Sequence, residues 1–487
     1  MTTRHTFLIL MFGLLIQTCG YTQNSTDAYR FSSYDILGSA RFVALGGAYS
    51  SIGGDLSTLN YNPAGLGVYQ SGEVIFSPGL LYSSNDAIYN GKTGTDAKAN
   101  LNFGMLGMVS THKVRNGSKA KTSGWKAINY GFSVTRKKNF HNTFFITGDS
   151  YSSSIVELWR KNAIGSLPKD LNPFSEGLAW DTYLLDTVPG NPRDYIGSVP
   201  EYGVGQSYWE ETKGYINELS FAVSANYNDK LILGFSLGNP HLSFRRTIEY
   251  GEYALETPAN SEFDELLYTE KLITEGVGIN AKLGFIFIVS PAVRFSGAIH
   301  TPTYYQEIVD EYYTDLENVM GDGNSYSSGS PVGNMVYNLS TPARAMAGIG
   351  IFFQKNGFLS FDYEFADYGR SKLTSKSYAF TNENHDIRAD FQVTHNFRIG
   401  AEYKLDFITL RGGYNIFGSP MNSEVNDIIS SAYSWGLGYR VGNAFFDFAY
   451  SKRNTESLFY MYNPDYVNPA SLANTTTNYI ISVGYKF

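Results

Sequence analysis

The sequence predicts an all-β protein, a transmembrane antiparallel β-barrel of about 14 strands with an N-terminal hatch plugging the lumen and a helical extracellular loop. Three observations carry the prediction. First, Tyr 38, Phe 33 and Trp 5 make up 16% of the chain beside 49 Gly, while hydrophobic residues reach only 43%. That balance suits an apolar outer wall with aromatic girdles around a polar lumen. Second, from Glu73 onward, segment after segment alternates apolar with polar residues, the period of a half-buried strand. Third, after the N-terminal leader no stretch approaches the ~18 apolar residues of a membrane-spanning helix, and only a closed barrel otherwise crosses lipid with its backbone satisfied.

In chain order, Arg4 and His5 precede an apolar run over residues 7–16, too short to span a bilayer. Small residues follow, so residues 1–20 read as a secretory signal peptide, with cleavage after Gly20 or Thr22. Cys19 is the single cysteine. The mature chain therefore has no disulfide framework, thiol nucleophile or cysteine-ligated metal. The formal net charge of −8, one unit more negative once Arg4 is removed, argues against nucleic acid as a partner.

Residues 21–70 read as leader and hatch, with 23–30 a short disordered lead-in. Within them, residues 45–66 hold Gly46, Gly47, Gly53, Gly54 and Gly65 and show neither a period of two nor one of 3.6. Glycine permits close backbone approach, so such a segment can thread a crowded lumen. A phosphate-binding loop is excluded, because no Gly-Lys-Ser/Thr follows Gly54 and no strand leads in. A plain linker is disfavoured by Ala44, Leu45, Ala48, Ile52, Leu56 and Leu59, which call for packing.

Residues 71–487 read as the barrel. Segments 101–111 and 125–136 alternate, and 140–149 continues after an expected kink at 137–139. Between 151 and 214 the spacing turns helical: Ile155 with Leu158 and Trp159, then Trp180 with Leu184. Asn172 before Pro173 is a cap and first-turn pair. From 215 on, short turns alternate with long polar loops, the asymmetry of outer-membrane barrels, with the short turns periplasmic. The clean alternation places Arg344, Asp362, Glu364, Arg398, Glu402, Arg411, Arg440 and Asp447 on the lumenal face, since charges facing lipid cost ~2–4 kcal/mol each.

The residues Gly46-Gly47-Ala48-Tyr49, Asp55 and Asn60-Tyr61-Asn62-Pro63-Ala64-Gly65-Leu66 resemble the hatch of FadL-type long-chain fatty-acid transporters. The architecture resembles that family along nearly the whole chain; the residue motif covers only about 30 positions. The resemblance implies an outer-membrane channel for passive uptake of fatty-acid-like or aromatic compounds in a Gram-negative cell. It implies a gate formed by Gly46, Gly47, Gly53, Gly54, Asp55, Asn62, Pro63, Ala64 and Gly65. It also implies an outer apolar groove, for which Ile155, Leu158, Trp159, Trp180 and Leu184 are candidates; self-packing of the loop is the competing reading. Arg344, Arg398 and Arg411 are candidate holders of a carboxylate head group, against the alternative that they pair with lumenal acids. Arg245-Arg246 form a second head-group candidate. The expected partners are a hydrophobic ligand, outer-membrane lipids and the barrel-insertion machinery, with no cofactor or metal.

Enzyme signatures are missing. The seven histidines show no metal spacing, and neither a Gly-x-Ser-x-Gly elbow nor His-Glu-x-x-His occurs. The alternative to a channel is a barrel scaffold or shuttle in an outer-membrane secretion or assembly system. An open porin conflicts with the plug-like segment. If the wall opens sideways, the strand breaks to inspect are 137–140 and Asn239-Pro240, since proline removes a ladder donor.

Overall fold

The structure is a computed structural model that describes residues 25–114, 124–198, 203–256, 263–354, 356–423 and 425–487. The expected signal peptide, with Cys19 and both cleavage points, lies outside the described residues.

The alternating segments form 14 antiparallel strands, and the last pairs with the first: Glu73 lies opposite Lys486 and Ile88 opposite Ser471, which closes the barrel. The strands are β1 (Glu73–Tyr89), β2 (Lys92–Lys113), β3 (Trp125–Asn139, continued by Asn142–Ser150), β4 (Val204–Tyr227) and β5 (Leu231–Ala254). Next come β6 (Glu265–Ser290), β7 (Val293–His300, continued by Tyr304–Val319), β8 (Gly333–Ser340, continued by Arg344–Phe353) and β9 (Gly357–Asp367, continued by Lys372–Thr374). The circuit ends with β10 (Val393–Leu405), β11 (Ile408–Phe417), β12 (Ile429–Val441), β13 (Ala444–Phe459) and β14 (Ala470–Lys486).

Burial follows the period of two. Phe361 and Phe365 are exposed on the outer wall, whereas Asp362 and Glu364 between them are buried in the lumen. In β14, Tyr479, Ile481, Val483 and Tyr485 face outward while Ser482 is fully buried. An outer face this apolar matches a bilayer, which would expel the opposite arrangement. Short turns at 228–230, 291–292, 354–356, 406–407 and 442–443 mark one end, and the long loops mark the other. Two joints depart from this pattern. At the loop end, β1 and β2 meet through Asn90-Gly91 alone, whose φ values of 44° and 82° suit a tight hairpin turn. At the turn end, β2 and β3 are separated by residues 114–124.

Residues 25–72 lie inside the barrel. Of the lead-in expected to be disordered, 23–24 lie outside the described residues and 25–30 belong instead to helix α1 (Ser25–Ser32), from which Ala28 and Phe31 pack against Phe244, Phe140 and the loop helix over Thr381–Asp390. Eight residues are too few for a helix to hold by itself. The lumen supplies the packing, a contribution that local spacing does not reveal. A short helix α2 (Ala40–Ala44) follows, capped by Ser39, whose hydroxyl accepts from the Phe42 N–H at 3.1 Å. Two 3-10 turns, Leu56–Asn60 and Pro63–Val68, complete the hatch.

The helical insertion contains α3 (Ile155–Ala163) and α4 (Glu176–Asp181), as the spacing predicts, plus a small hairpin of Leu185–Val188 with Asn191–Gly197. It ends at 203 rather than 214, because β4 begins at Val204. There Gln206 and Tyr208 face inward while Gly205 and Gly214 interrupt the pattern, so apolar alternation is lost although the ladder continues.

Candidate functional site: hatch, lumenal cavity and wall notch

The hatch occupies the turn-end half of the lumen and is fastened residue by residue. Gly46, Gly47, Gly53 and Gly54 all have positive φ, between 62° and 72°, a backbone that other side chains rarely adopt. The Gly54 N–H donates to the Gly65 carbonyl at 2.9 Å, which clasps the two halves of the segment together. Asp55 caps the first 3-10 turn, accepting from the Ser57 N–H at 2.8 Å and the Ser39 hydroxyl at 2.6 Å. Asn62 caps the second, with Pro63 in its first turn; it accepts from the Ala64 N–H at 3.1 Å and donates to the Ser50 carbonyl at 2.8 Å. Ala64 packs on Ile232 and Ile286 of the wall.

The wall is shaped to receive this backbone. A Cβ at Gly413 would lie 2.4 Å from the Leu45 carbonyl carbon, and one at Gly284 would lie 2.0 Å from Asn62 Oδ1. Charged groups complete the attachment. Asp362 of β9 accepts from the Tyr49 and Ser50 N–H groups, both at 2.8 Å, and from the Ser50 hydroxyl at 2.7 Å. Arg41 of α2 makes a two-point ion pair with Glu402 of β10, both contacts at 2.8 Å. Burial opposes the Arg41 charge, but Glu402 outweighs it and holds the guanidinium firmly protonated. Burial, reinforced by Glu218, pushes the Tyr34 phenol up to about 12.

Ser50 and Arg41 escaped the sequence reading, and Tyr49 entered it only within the resemblance motif, since a lone Ser or Arg in an irregular stretch carries no spacing signal.

Each of the three lumenal candidates, Arg344, Arg398 and Arg411, is already paired. Arg344 and Arg398 share Glu364 at 2.9 and 2.7 Å, and all three side chains are buried. Arg411 lies between Glu402 at 2.8 Å and Asp447 at 2.6 Å. The inward placement read from alternation holds, but the guanidinium charges are neutralised by neighbouring strands rather than presented to a ligand. Arg246 of the second candidate pair lies 3.9 Å from Glu270, and Arg245 is exposed.

The helical insertion is likewise packed on itself. Ile155, Trp159 and Leu184 are buried in one cluster with Phe144, Tyr208 and Tyr268, and Trp180 leans on it. Leu158 is half-buried. These residues cork the mouth at the loop end; none lines the lumenal cavity described next. The apolar groove expected from them is therefore filled by their own contacts.

A cavity of about 340 Å³ lies above the hatch. Leu37 and Val43 of the hatch, Leu81 of β1, Phe140 of β3 and Phe417 of β11 supply apolar lining. Amides and hydroxyls of Asn142, Asn415, Ser434 and Thr476 face it as well, together with Lys138 and Arg453, which flank Asp35. The lining is thus amphipathic.

This cavity reaches the wall where β3 breaks. Residues 137–139 remain in the strand, and the interruption falls at Phe140-His141. Up to Thr135 the strand pairs with β2, ending opposite Met105. Beyond the break its second half pairs only with β4, while residues 92–103 of β2 pair only with β1. The second half passes on the lumenal side of the β1–β2 hairpin, where Asn142 Oδ1 accepts from Ser83 at 2.7 Å and Asn85 at 2.8 Å. The main-chain ladder is therefore open between β2 and β3 above Met105. Side chains alone bridge the notch: Asn139 donates to Asn100 at 3.1 Å, and Trp209 and Thr143 both donate to Asp96. Arg136 closes its base, stacked over Tyr215 at 4.9 Å and Phe103 at 5.3 Å. Leu101, 82% exposed, stands beside it on the outer wall. At Asn239-Pro240, β5 itself runs on and both residues pair with β4, but neither pairs with β6, whose ladder passes from Gly238–Asn280 directly to His241–Val277, the interruption that the proline predicts.

No family model matches the sequence, and no curated protein sequence matches it. Solved structures do. The Pseudomonas putida toluene transporter TodX superposes with a TM-score of 0.52 at 15% identity, covering 94% of this chain and 100% of that one. A Pseudomonas aeruginosa FadL homologue gives 0.57 at 12% identity, again covering 94% and 100%. The Ralstonia pickettii toluene transporter TbuX gives 0.51 at 15% identity, covering 93% and 99%. At these identities the shared property is the fold, and it matches in three dimensions the FadL-type resemblance read from residues 45–66.

Proposed function

We propose that the chain is an outer-membrane channel that admits hydrophobic small molecules by passive diffusion, with residues 45–66 as its gate. The observation that carries the reading is the meeting of three features at one place: the open ladder between β2 and β3, the 340 Å³ cavity, and the hatch beneath it. A wall open toward lipid is of use to a cargo that partitions into lipid, and of none to a polar solute. The structural neighbours described as toluene transporters and a FadL homologue support the same class of cargo.

Among the described residues the mouth is corked and the hatch is fastened to the wall, which speaks against a general porin. The mixed lining favours a cargo with an apolar body and one polar end. Such a molecule would shed its water against apolar surface while its polar end meets the amides and hydroxyls of the cavity wall. Cargo would enter the cavity from lipid through the notch, and displacement of the hatch would then release it toward the turn end without energy input.

Liposomes containing the purified barrel should take up fluorescent fatty-acid analogues saturably while retaining small sugars. Uptake no faster than in protein-free liposomes would sink the channel reading. A stable protein partner co-purifying in its place would favour the secretion-scaffold alternative.

A further inference from the structure

Beneath the hatch, at the turn end, lies a second cavity of about 380 Å³, distinct from the one above it. Its roof is the hatch turn at Ile52-Gly53-Gly54 and the stretch 68–71; its walls are the turn-end termini of β7 to β12 with Lys486 of β14. Six cationic side chains line it against a single carboxylate, Glu402, in a chain whose net charge is −8. Glu402 is itself consumed by Arg41 and Arg411. Lys486 lies 3.5 Å from Glu73. Arg294, Lys404 and Arg440 remain, and among the described residues none of them has a carboxylate within ion-pair distance.

Arg294 is the best placed of the three. Its guanidinium lies 4.2 Å above the Phe352 ring and donates through Nη1 to the Ile52 carbonyl at 3.0 Å, while its Nε is buried without a hydrogen-bond partner. Ring and carbonyl fix the group, and donors are left unused. Val68, Ile52 and Phe358 supply apolar surface alongside. Fixed, uncompensated guanidinium beside apolar walls is suited to an anion that carries a hydrocarbon body.

We infer that this vestibule is an exit site that receives the anionic end of a single-chain amphiphile, such as a carboxylate, with Arg294 as the principal contact and Lys404 and Arg440 adding charge. The inference rests on the channel reading and names the chemistry of its cargo. It also relocates the head-group site, from the paired arginines above and beside the hatch to an unpaired one below it.

The test uses the full-length barrel in a neutral detergent, with dansyl-undecanoate as probe and its methyl ester as the uncharged match. A nitroxide on Q354C, which lies in the vestibule lining, should quench the acid and not the ester. R294Q should weaken the quenched binding by roughly tenfold, the scale of one lost charge-assisted contact. R294K should retain most of it, and the K404Q/R440Q pair, whose side chains are exposed, should weaken it without a risk to folding. Equal quenching of acid and ester, no effect of either the R294Q or the paired variant, or equal displacement by inorganic phosphate would each overturn the inference. Binding of both acid and ester with neither quenched would sink the vestibule site alone. Binding of neither would sink the channel reading itself.

Discussion

Arg41 of the hatch and Glu402 of β10 meet in a two-point ion pair, Nε to Oε2 and Nη2 to Oε1, both 2.8 Å. Glu402 also accepts from Arg411, which in turn holds Asp447 at 2.6 Å. One carboxylate thus ties plug to wall and compensates two guanidinium groups. E402Q is expected to leave Arg41 without a carboxylate and Arg411 with Asp447 alone, a cost below the ~3–5 kcal/mol of a fully buried pair because both side chains of the Arg41–Glu402 pair are partly exposed. In planar bilayers the variant should show a raised resting conductance, where the parent is nearly closed. An unchanged conductance would mean that the hatch stays seated without this pair.

Asp362 fastens the adjoining part of the plug through the Tyr49 and Ser50 N–H groups. D362A strands both donors, at about 1–3 kcal/mol for each buried group left unsatisfied. Amide hydrogen exchange in residues 45–54 should accelerate, while exchange in β14 stays as it was. Equal acceleration in both would point to a general loss of barrel stability instead.

Gly413 and Gly412 offer a controlled pair. A Cβ at Gly413 collides with the hatch at Leu45, whereas at Gly412 the nearest atom is 4.0 Å away. G413V should reduce the folded, heat-modifiable fraction or expel the hatch and open a leak. G412V should resemble the parent on gel and in the bilayer. If both variants behave alike, close approach of wall and plug is not what position 413 provides.

Trp159 belongs to the cork rather than to the cavity. W159A is expected to cost about 3–5 kcal/mol in the outer cluster, as for a buried aromatic truncated in a core. The insertion should then become susceptible to protease, with retention of a hydrophobic probe unchanged. A large loss of probe retention with the cork intact would restore the groove reading.

The barrel was legible because alternation is a local signal that survives strand by strand, as in Phe361, Asp362 and Glu364. The plug was legible as a region, since its glycines and lack of period exclude both helix and strand. The individual contacts were not. Whether Arg344, Arg398 and Arg411 face a ligand or an acid depends on register between strands far apart in sequence, and only the fold brings Glu364 between two of them. Helix α1 was missed because its stability is tertiary. The end of the insertion was missed because β4 begins with inward Gln206 and Tyr208 rather than with an apolar face. The break in β3 was placed within a residue or two, but its consequence was invisible: an unpaired edge of β2 arises from how the chain crosses behind the β1–β2 hairpin.

The central claim is that cargo passes through the notch between β2 and β3. Asn100 and Asn139 face each other across it at 3.1 Å, and Cys19 is the only native cysteine. The direct measurement is uptake of a fluorescent fatty-acid analogue by the N100C/N139C protein before and after a short, cleavable bis-thiol crosslinker is applied. Uptake should fall to the protein-free rate when the notch is tied and return on cleavage. Transport through the crosslinked protein at the untied rate would contradict a lateral route.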